Sequence, residues 1–311
     1  MNSKSTKFPI LRAVALELEK LDLPVVLRYD IARITWALYK AQSYEGHSLS
    51  VRRDTMDVRA FINIEKGLKN NGVLKPLQGV PERSAYALIG GNVIDRNALI
   101  CSIDMFCYLS HLSAMEFHGF TDRLPEQIYV STPTGKEWTN FAEERMRKDL
   151  GEDRRAYGDS GLPLLRRVTI TKIGQRPIHR YASLHQGAFR VIKGSPVRVA
   201  TIGRTFLDML REPNLCGGIL HVTEVFKEHA TSHKRLIFDE LDQHGSPIDK
   251  VRAGFILEEI CKIRDPRIDT WVACAARGGS RKLDSSADYA PSFSERWMLS
   301  INTTTAGDED D

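Results

Sequence analysis

Arg59, Asn63, Lys66 and Asn70 follow one another at steps of four, three and four residues. At 3.6 residues per turn that spacing puts all four on one side of a helix. Phe61, Ile64 and Leu68 fall on the other side, at the period of a core-facing stripe. The polar types suit one chemistry in particular. An arginine can grip guanine O6 and N7 with two donors, and an asparagine can pair with adenine N6 and N7 in the same two-bond manner. Lys66, Lys69 and Lys75, with Arg83 downstream and Arg52 and Arg53 upstream, are cations that could hold phosphates and fix a register on DNA. The plainer alternative is the wet polar face that any amphipathic surface helix carries.

The stretch from Asp54 to Leu88 supplies the setting for that face. Asn71 and Gly72 both tolerate the left-handed conformation that ends a helix. Two short apolar runs follow, Val73–Leu77 and Ala85–Ile89, around the turn-rich QGVPERS. Helix, strand, turn, strand is the order of a winged helix-turn-helix, whose helix enters the major groove. Upstream, Leu11, Val14, Leu18 and Leu21 mark an amphipathic helix that Pro24 stops, and Val25–Leu27 reads as a short strand. Asp30 is placed as the N-cap of a second helix with Ile31, Ile34 and Leu38 inward, and a polar loop around Gly46 leads on. The small domain is expected to span residues 1–92, with a hinge near Gly91.

A chain of 311 residues is long enough for two such units, each with its own core. The net charge of +4 is modest, but residues 1–95 hold 14 Lys+Arg against 10 Asp+Glu while the remainder holds 30 of each. The whole positive excess thus sits in the half with the basic helix, which favours a polyanionic partner and salt-dependent binding. Five scattered cysteines without a CxxC pair read as reduced thiols of a cytoplasmic protein. The N-terminus becomes charged too soon for a secretory signal. The most apolar region, Ala98–Phe120, is interrupted by Asp104, two histidines and Glu116, so no membrane span is expected.

Downstream, IDMFCYLSHLSAMEFHGF reads as one helix ended by Gly119, and Glu126–Thr132 as a strand. Residues Pro133–Pro163, polar and turn-rich, are expected to form an exposed, mobile loop with some helix. Strands are expected at Arg167–Ile173, His179–Leu184 and Val197–Ala200, then four helices within 201–262, then a strand at Glu295–Asn302. The acidic end GDEDD makes 303–311 a flexible tail.

Catalytic patterns are sparse. His229 and His233, four apart near Glu224 and Glu228, could share a metal on a helix, but HExxH is absent and SHK is expected to break the helix between them. His111 and His118 lie two turns apart on one helix and read as a partly buried polar pair. GxSxG is missing around Ser110 and Ser113, and no Gly-rich loop precedes a Lys-Ser or Lys-Thr. GGSRKLDSSAD brings Asp284 and Asp288 four apart, whereas two carboxylates converging on a metal pair from a strand need a spacing of two. No enzyme, cofactor or metal is expected.

The segments YLSHLSAMEFHGFTDRLPEQIYVST, RTFLDMLREPNLCGGI, KVRAGFILEEIC and above all RGGSRKLDSSADYAPSFSERWMLSIN resemble the AbiEi antitoxins of bacterial abortive-infection systems. They cover much of residues 105–302. The resemblance implies an α+β chain, with an N-terminal winged helix-turn-helix (1–92) followed by a larger mixed α/β antitoxin domain (93–302). It also implies two jobs: repression of its own operon through promoter inverted repeats on double-stranded DNA, and opposition to a nucleotidyltransferase-type toxin resembling AbiEii, with or without direct contact. Paired half-sites would need two copies, as a dimer or as monomers meeting on DNA. By chemistry alone, Arg277, Arg281, Lys282 and Arg296 are the candidates for an antitoxin surface, against the reading that Trp297 packs into a core and Arg281 pairs with Asp284 or Asp288. Two other functions stay open: a regulator whose second domain senses a small ligand in an apolar pocket, and a DNA-guided nuclease or nucleotidyltransferase.

Overall fold

The first helix ends at Glu19, ahead of Pro24 where the sequence placed its stop, and Val25–Leu27, buried, becomes the first strand of a small sheet. The structure, a computed structural model, describes residues 7–51, 55–88, 95–183, 187–275 and 281–303. The chain starts with β1 (Phe8–Pro9), α1 (Ile10–Glu19), β2 (Val25–Leu27), α2 (Arg28–Ala41) and the hairpin β3 (Ser43–Tyr44) and β4 (His47–Ser50). It continues through α3 (Val58–Asn70), β5 (Leu74–Pro76) and β6 (Ala85–Leu88). Strand β6 is the centre of a three-stranded antiparallel sheet in the order β2-β6-β5, with Val26 opposite Tyr86 and Lys75 opposite Ala87. The expected polar loop around Gly46 is the tight turn of the β3–β4 hairpin, which pairs through β4 with β1. Asp30 is not the N-cap of α2. It is the third residue of the helix, and its carboxylate reaches back to accept from the N–H of Leu27, the residue at the cap, at 3.0 Å.

Residues 96–200 build a six-stranded mixed sheet. The elements are α4 (Arg96–Ile103), β7 (Tyr108–Leu109), α5 (His111–His118), β8 (Ile128–Pro133), α6 (Gly135–Leu150), α7 (Arg154–Asp159), β9 (Lys172–Ile173), β10 (Arg176–Ser183), β11 (Phe189–Val191) and β12 (Arg198–Ala200). The strand order is β11-β12-β7-β8-β10-β9, with β8 and β10 parallel over six residue pairs. The single helix expected around residues 103–119 is broken. Asp104 leaves the helix, is fully buried, and its carboxylate accepts from Phe106 N, Thr132 Oγ1 and Trp138 Nε1. That demand turns the chain into β7 before α5 begins. The expected loop of 133–163 is instead mostly helix: α6 is capped by Thr134 and Glu137 and buries Trp138, Ala142, Met146 and Leu150.

The last part is helical. It consists of α8 (Ile202–Arg211), α9 (Ile219–His244), α10 (Pro247–Gly254) continuing as a wider π turn over Phe255–Ile260, α11 (Pro266–Trp271), and the short pair β13 (Phe293–Ser294) and β14 (Leu299–Ser300). The two helices expected on either side of TSH are one 26-residue helix, α9. His229 and His233 lie inside it, both against the ring of Phe120. The strand expected at Glu295–Asn302 is reduced to Leu299–Ser300, because Trp297 leaves the strand direction to fill the core.

Two apolar cores result. One runs without a break from Ala13 in α1 to Ala200 in β12, so the small sheet and its helices share packing with the mixed sheet. Tyr157 is fully buried edge-on to Tyr29 and Trp36. Asp149 accepts from Tyr29, and Asp153 pairs with Lys40 at 2.5 Å. The second core gathers α8, α9, α10 and Trp297. The chain is α+β. Among the described residues no helix is long and apolar enough to cross a membrane.

Candidate nucleic-acid interface

Helix α3 is defined at both ends by its own sequence. The Asp57 carboxylate accepts from Ala60 N at 2.7 Å, a side-chain N-cap. At the other end Gly72 takes the left-handed conformation, φ +71°, while Asn71 keeps φ −84°. Of the two expected terminators, the glycine alone adopts the special geometry. Gly72 N donates to Lys69 O and Val73 N to Leu68 O, which satisfies the last carbonyls.

The inner face buries Phe61, Ile64 and Leu68, as their period predicts, and also Glu65. A carboxylate there needs partners. Arg28 supplies two donors, Nε at 2.8 Å and Nη2 at 3.2 Å, and Tyr86 OH donates at 2.8 Å. Glu65 thereby ties α3 to the start of α2 and to β6. Burial and the adjoining carboxylate raise the Tyr86 phenol, so it stays protonated as a donor. Arg28 also lies 5.0 Å over the Phe61 ring. Gly67 lets α1 approach closely: a Cβ there would stand 2.9 Å from Leu11 Cδ1. The orientation of α3 is thus set by one ion-pair knot and one close helix crossing. Sequence reading missed Glu65. The signal was available, since it lies beside Phe61 and Leu68 on the inward stripe.

The outer face carries Arg59, Asn63, Lys66 and Asn70, all exposed. None of the four has a hydrogen bond or ion pair among the described residues. Val58 and Ile62, 39% exposed each, add apolar surface beside them. The remaining cations are arranged differently. Lys69 is half-buried, its ammonium 4.7 Å over the Tyr86 ring, and so lies along the small sheet rather than on the outer face. Lys75 is exposed on β5. Arg83 is exposed in the β5–β6 turn at φ +58° and lines a cleft with Val58 and Phe61 of α3 and with Arg166 and Arg167 of the second part. Arg52 and Arg53 lie outside the described residues.

The cations offered for an antitoxin surface are mostly engaged within the fold. Arg281 Nη1 donates to Cys274 O at 2.6 Å, in place of the expected pair with Asp284 or Asp288. Lys282 Nζ donates to Ala287 O at 2.7 Å. Arg296 bridges Glu258 and Asp269, each at 2.6 Å. Arg277 lies outside the described residues. Trp297 is wholly buried and donates from Nε1 to Glu258. Asp284 serves a turn: its carboxylate accepts from Ser286, and Asn302 clasps the carbonyls of Asp284, Ala287 and Asp288. Among the described residues no three His, Cys, Asp or Glu side chains converge as a metal site would require.

No protein-family model matches this chain, and no curated protein matches it. Among solved structures it is similar to the Rv2827c protein from Mycobacterium tuberculosis, at 13% identity and a TM-score of 0.47, over 96% of this chain and 94% of that one.

Proposed function

We propose that residues 8–88 are a winged helix-turn-helix that reads double-stranded DNA with α3, and that the chain is an autorepressing antitoxin. One observation carries the DNA reading. Four side chains suited to base edges and phosphate stand exposed and unengaged on one face of a helix whose orientation is fixed from behind. The order of helices around the sheet β2-β6-β5 supports it, with the β5–β6 hairpin as the wing. In this reading Arg59 and Asn63, near the N-terminal end of α3, meet bases. Lys66, Asn70, Lys75 and Arg83 meet the backbone and set the register. The antitoxin role, exerted against a nucleotidyltransferase-type toxin, rests on the resemblance of residues 105–302 to AbiEi proteins.

The test is a fluorescence anisotropy titration against the chain's own upstream region, at two salt concentrations, with scrambled DNA as control. The reading expects preference for the upstream DNA and affinity that falls with salt. Equal affinity for scrambled DNA would remove the autorepressor role. Co-expression with the product of a neighbouring nucleotidyltransferase-like gene tests the second role, with restored growth as the expected result.

A further inference from the structure

A second site lies away from α3. A cavity of about 230 Å³ opens between the end of β10, the start of α5 and one face of α8, and its walls include His111, Tyr181, Arg204, Asp208, Arg211 and Glu212. Two of these side chains are buried yet leave a polar atom without a partner among the described residues: His111 Nε2 and Asp208 Oδ2. Bare buried polar atoms cost free energy unless something else meets them. His111 is also held at φ +50°, a conformation that side chains of its size rarely take. Its ring is fixed by a 2.8 Å contact between Nδ1 and Ser110 Oγ, and burial lowers its pKa, which favours the neutral ring.

The ion pair in the wall is incomplete. Arg204 Nε donates to Asp208 Oδ1 at 2.8 Å, four residues along α8. An arginine and a carboxylate close together ordinarily form a fork of two parallel bonds. Here one is made: Oδ2 is bare, and the Nη groups of Arg204 have no hydrogen bond among the described residues. Gly187 leaves room for the guanidinium there, since a Cβ at Gly187 would stand 2.6 Å from its central carbon. Glu212 accepts from Tyr181 OH on Oε1 at 3.1 Å. Arg211 is committed to Asp249 and to the His244 carbonyl. The cavity therefore presents an uncommitted guanidinium edge beside uncommitted carboxylate oxygens. A simple anion would face Asp208 and Glu212, and a simple cation would face Arg204. A ligand bearing both signs satisfies both halves.

We propose that this cavity binds a small zwitterion of the free amino-acid class. Its carboxylate sits on the Arg204 guanidinium, and its ammonium lies between Asp208 Oδ2 and Glu212. With the Ser110 hydroxyl donating to Nδ1, His111 carries its proton on Nε2 and donates to the ligand carboxylate. The site makes no use of α3, so it stands or falls independently of DNA reading.

The experiment is calorimetry and thermal shift on the full-length protein with each common amino acid in turn, at about 1–10 mM. One or a few should raise the melting temperature, as any ligand specific to the folded state does. Their N-acetyl and methyl-ester derivatives, each lacking one charge, should not. Asp208→Asn and Glu212→Gln should each weaken binding at least about tenfold. Glu212 is only half-buried, so if Asp208→Asn fails to fold, Glu212→Gln decides the matter. The His111 ring resonances should move on binding. The proposal is overturned if no amino acid shifts the melting temperature or those resonances, if blocked derivatives bind as tightly, or if Glu212→Gln binds like the parent.

Discussion

Replacing Glu65 with alanine strikes the knot that orients α3. The carboxylate is 3% exposed and takes three hydrogen bonds, two from Arg28 and one from Tyr86. Its removal leaves a guanidinium and a phenol without their partner and a void beside Phe61. Breaking one side of a buried ion pair costs about 3–5 kcal/mol. The Arg28 side chain is 22% exposed and can regain some water, which puts the expectation near the lower end, about 3 kcal/mol. Tyr86→Phe loses a single bond to a charged acceptor and should cost about 1.5 kcal/mol. Urea unfolding measures both as shifts of the midpoint at unchanged slope. Arg28→Met alone and in combination with Glu65→Ala closes a double-mutant cycle, whose coupling should be about 1–3 kcal/mol. If Glu65→Ala unfolds within about 0.5 kcal/mol of the parent, the knot does not fix α3 and the reasoning fails.

Other perturbations reach other parts of the structure. Gly254→Ala would drive a Cβ to 2.0 Å from the Trp297 ring, and overpacking of that degree should cost about 3 kcal/mol or more, read from the urea midpoint. A fragment of residues 96–311 strips Tyr29 and Trp36 from Tyr157. It should bind a hydrophobic dye and lose its cooperative transition; a sharp two-state transition would show that the shared core is dispensable. His111 and His118 are both held below the ordinary 6.5 by burial, which the hydrogen bond from His118 to the Ala200 carbonyl only partly offsets. The unfolded chain therefore binds more protons than the folded one just below that value. The stability they contribute is complete above 6.5 and declines as pH falls through the window beneath it. Urea midpoints at about pH 7.5 and about pH 5.5 should show that decline, with a shallower one in His111→Gln. Greater stability at the lower pH, or an unchanged slope in the variant, would contradict the assignment.

Much of the N-terminal architecture was legible because its helices bury unmistakably apolar stripes. Leu18, Ile31, Phe61 and Leu68 are all inward as their spacing requires, and β2, β5 and β6 follow the short apolar runs. Elsewhere the stripe was disguised. In α6 the buried positions Trp138, Ala142, Met146 and Leu150 recur every four residues, but one is alanine and the rest of the surface is charged, so the segment resembled a loop. In α9 the stripe runs from Phe226 to Ile237 through polar side chains, and Phe120, distant in sequence, gives His229 and His233 their apolar cover. Glu65 lies on the legible inward stripe, but its partners do not: a charged residue faces inward because Arg28 and Tyr86 are there to meet it. Asp104 broke an apparent helix through Thr132 and Trp138. The cavity at His111 also depends on long-range assembly, since β10 and α8 bring its walls together from far along the chain. Local periodicity finds faces; it does not find partners.

The free face of α3 is the centre of the functional account, and one comparison tests it most directly. Anisotropy titrations of the parent and of Arg59→Ala/Asn63→Ala would be run against the upstream DNA and scrambled DNA, with urea midpoints measured in parallel. Both side chains are exposed, so the fold should be unaffected, within about 0.5 kcal/mol. Specific binding should weaken by about 1–3 kcal/mol for each lost base contact, while affinity for scrambled DNA changes far less. A double variant that keeps the parent's preference for the upstream DNA would show that α3 does not read it.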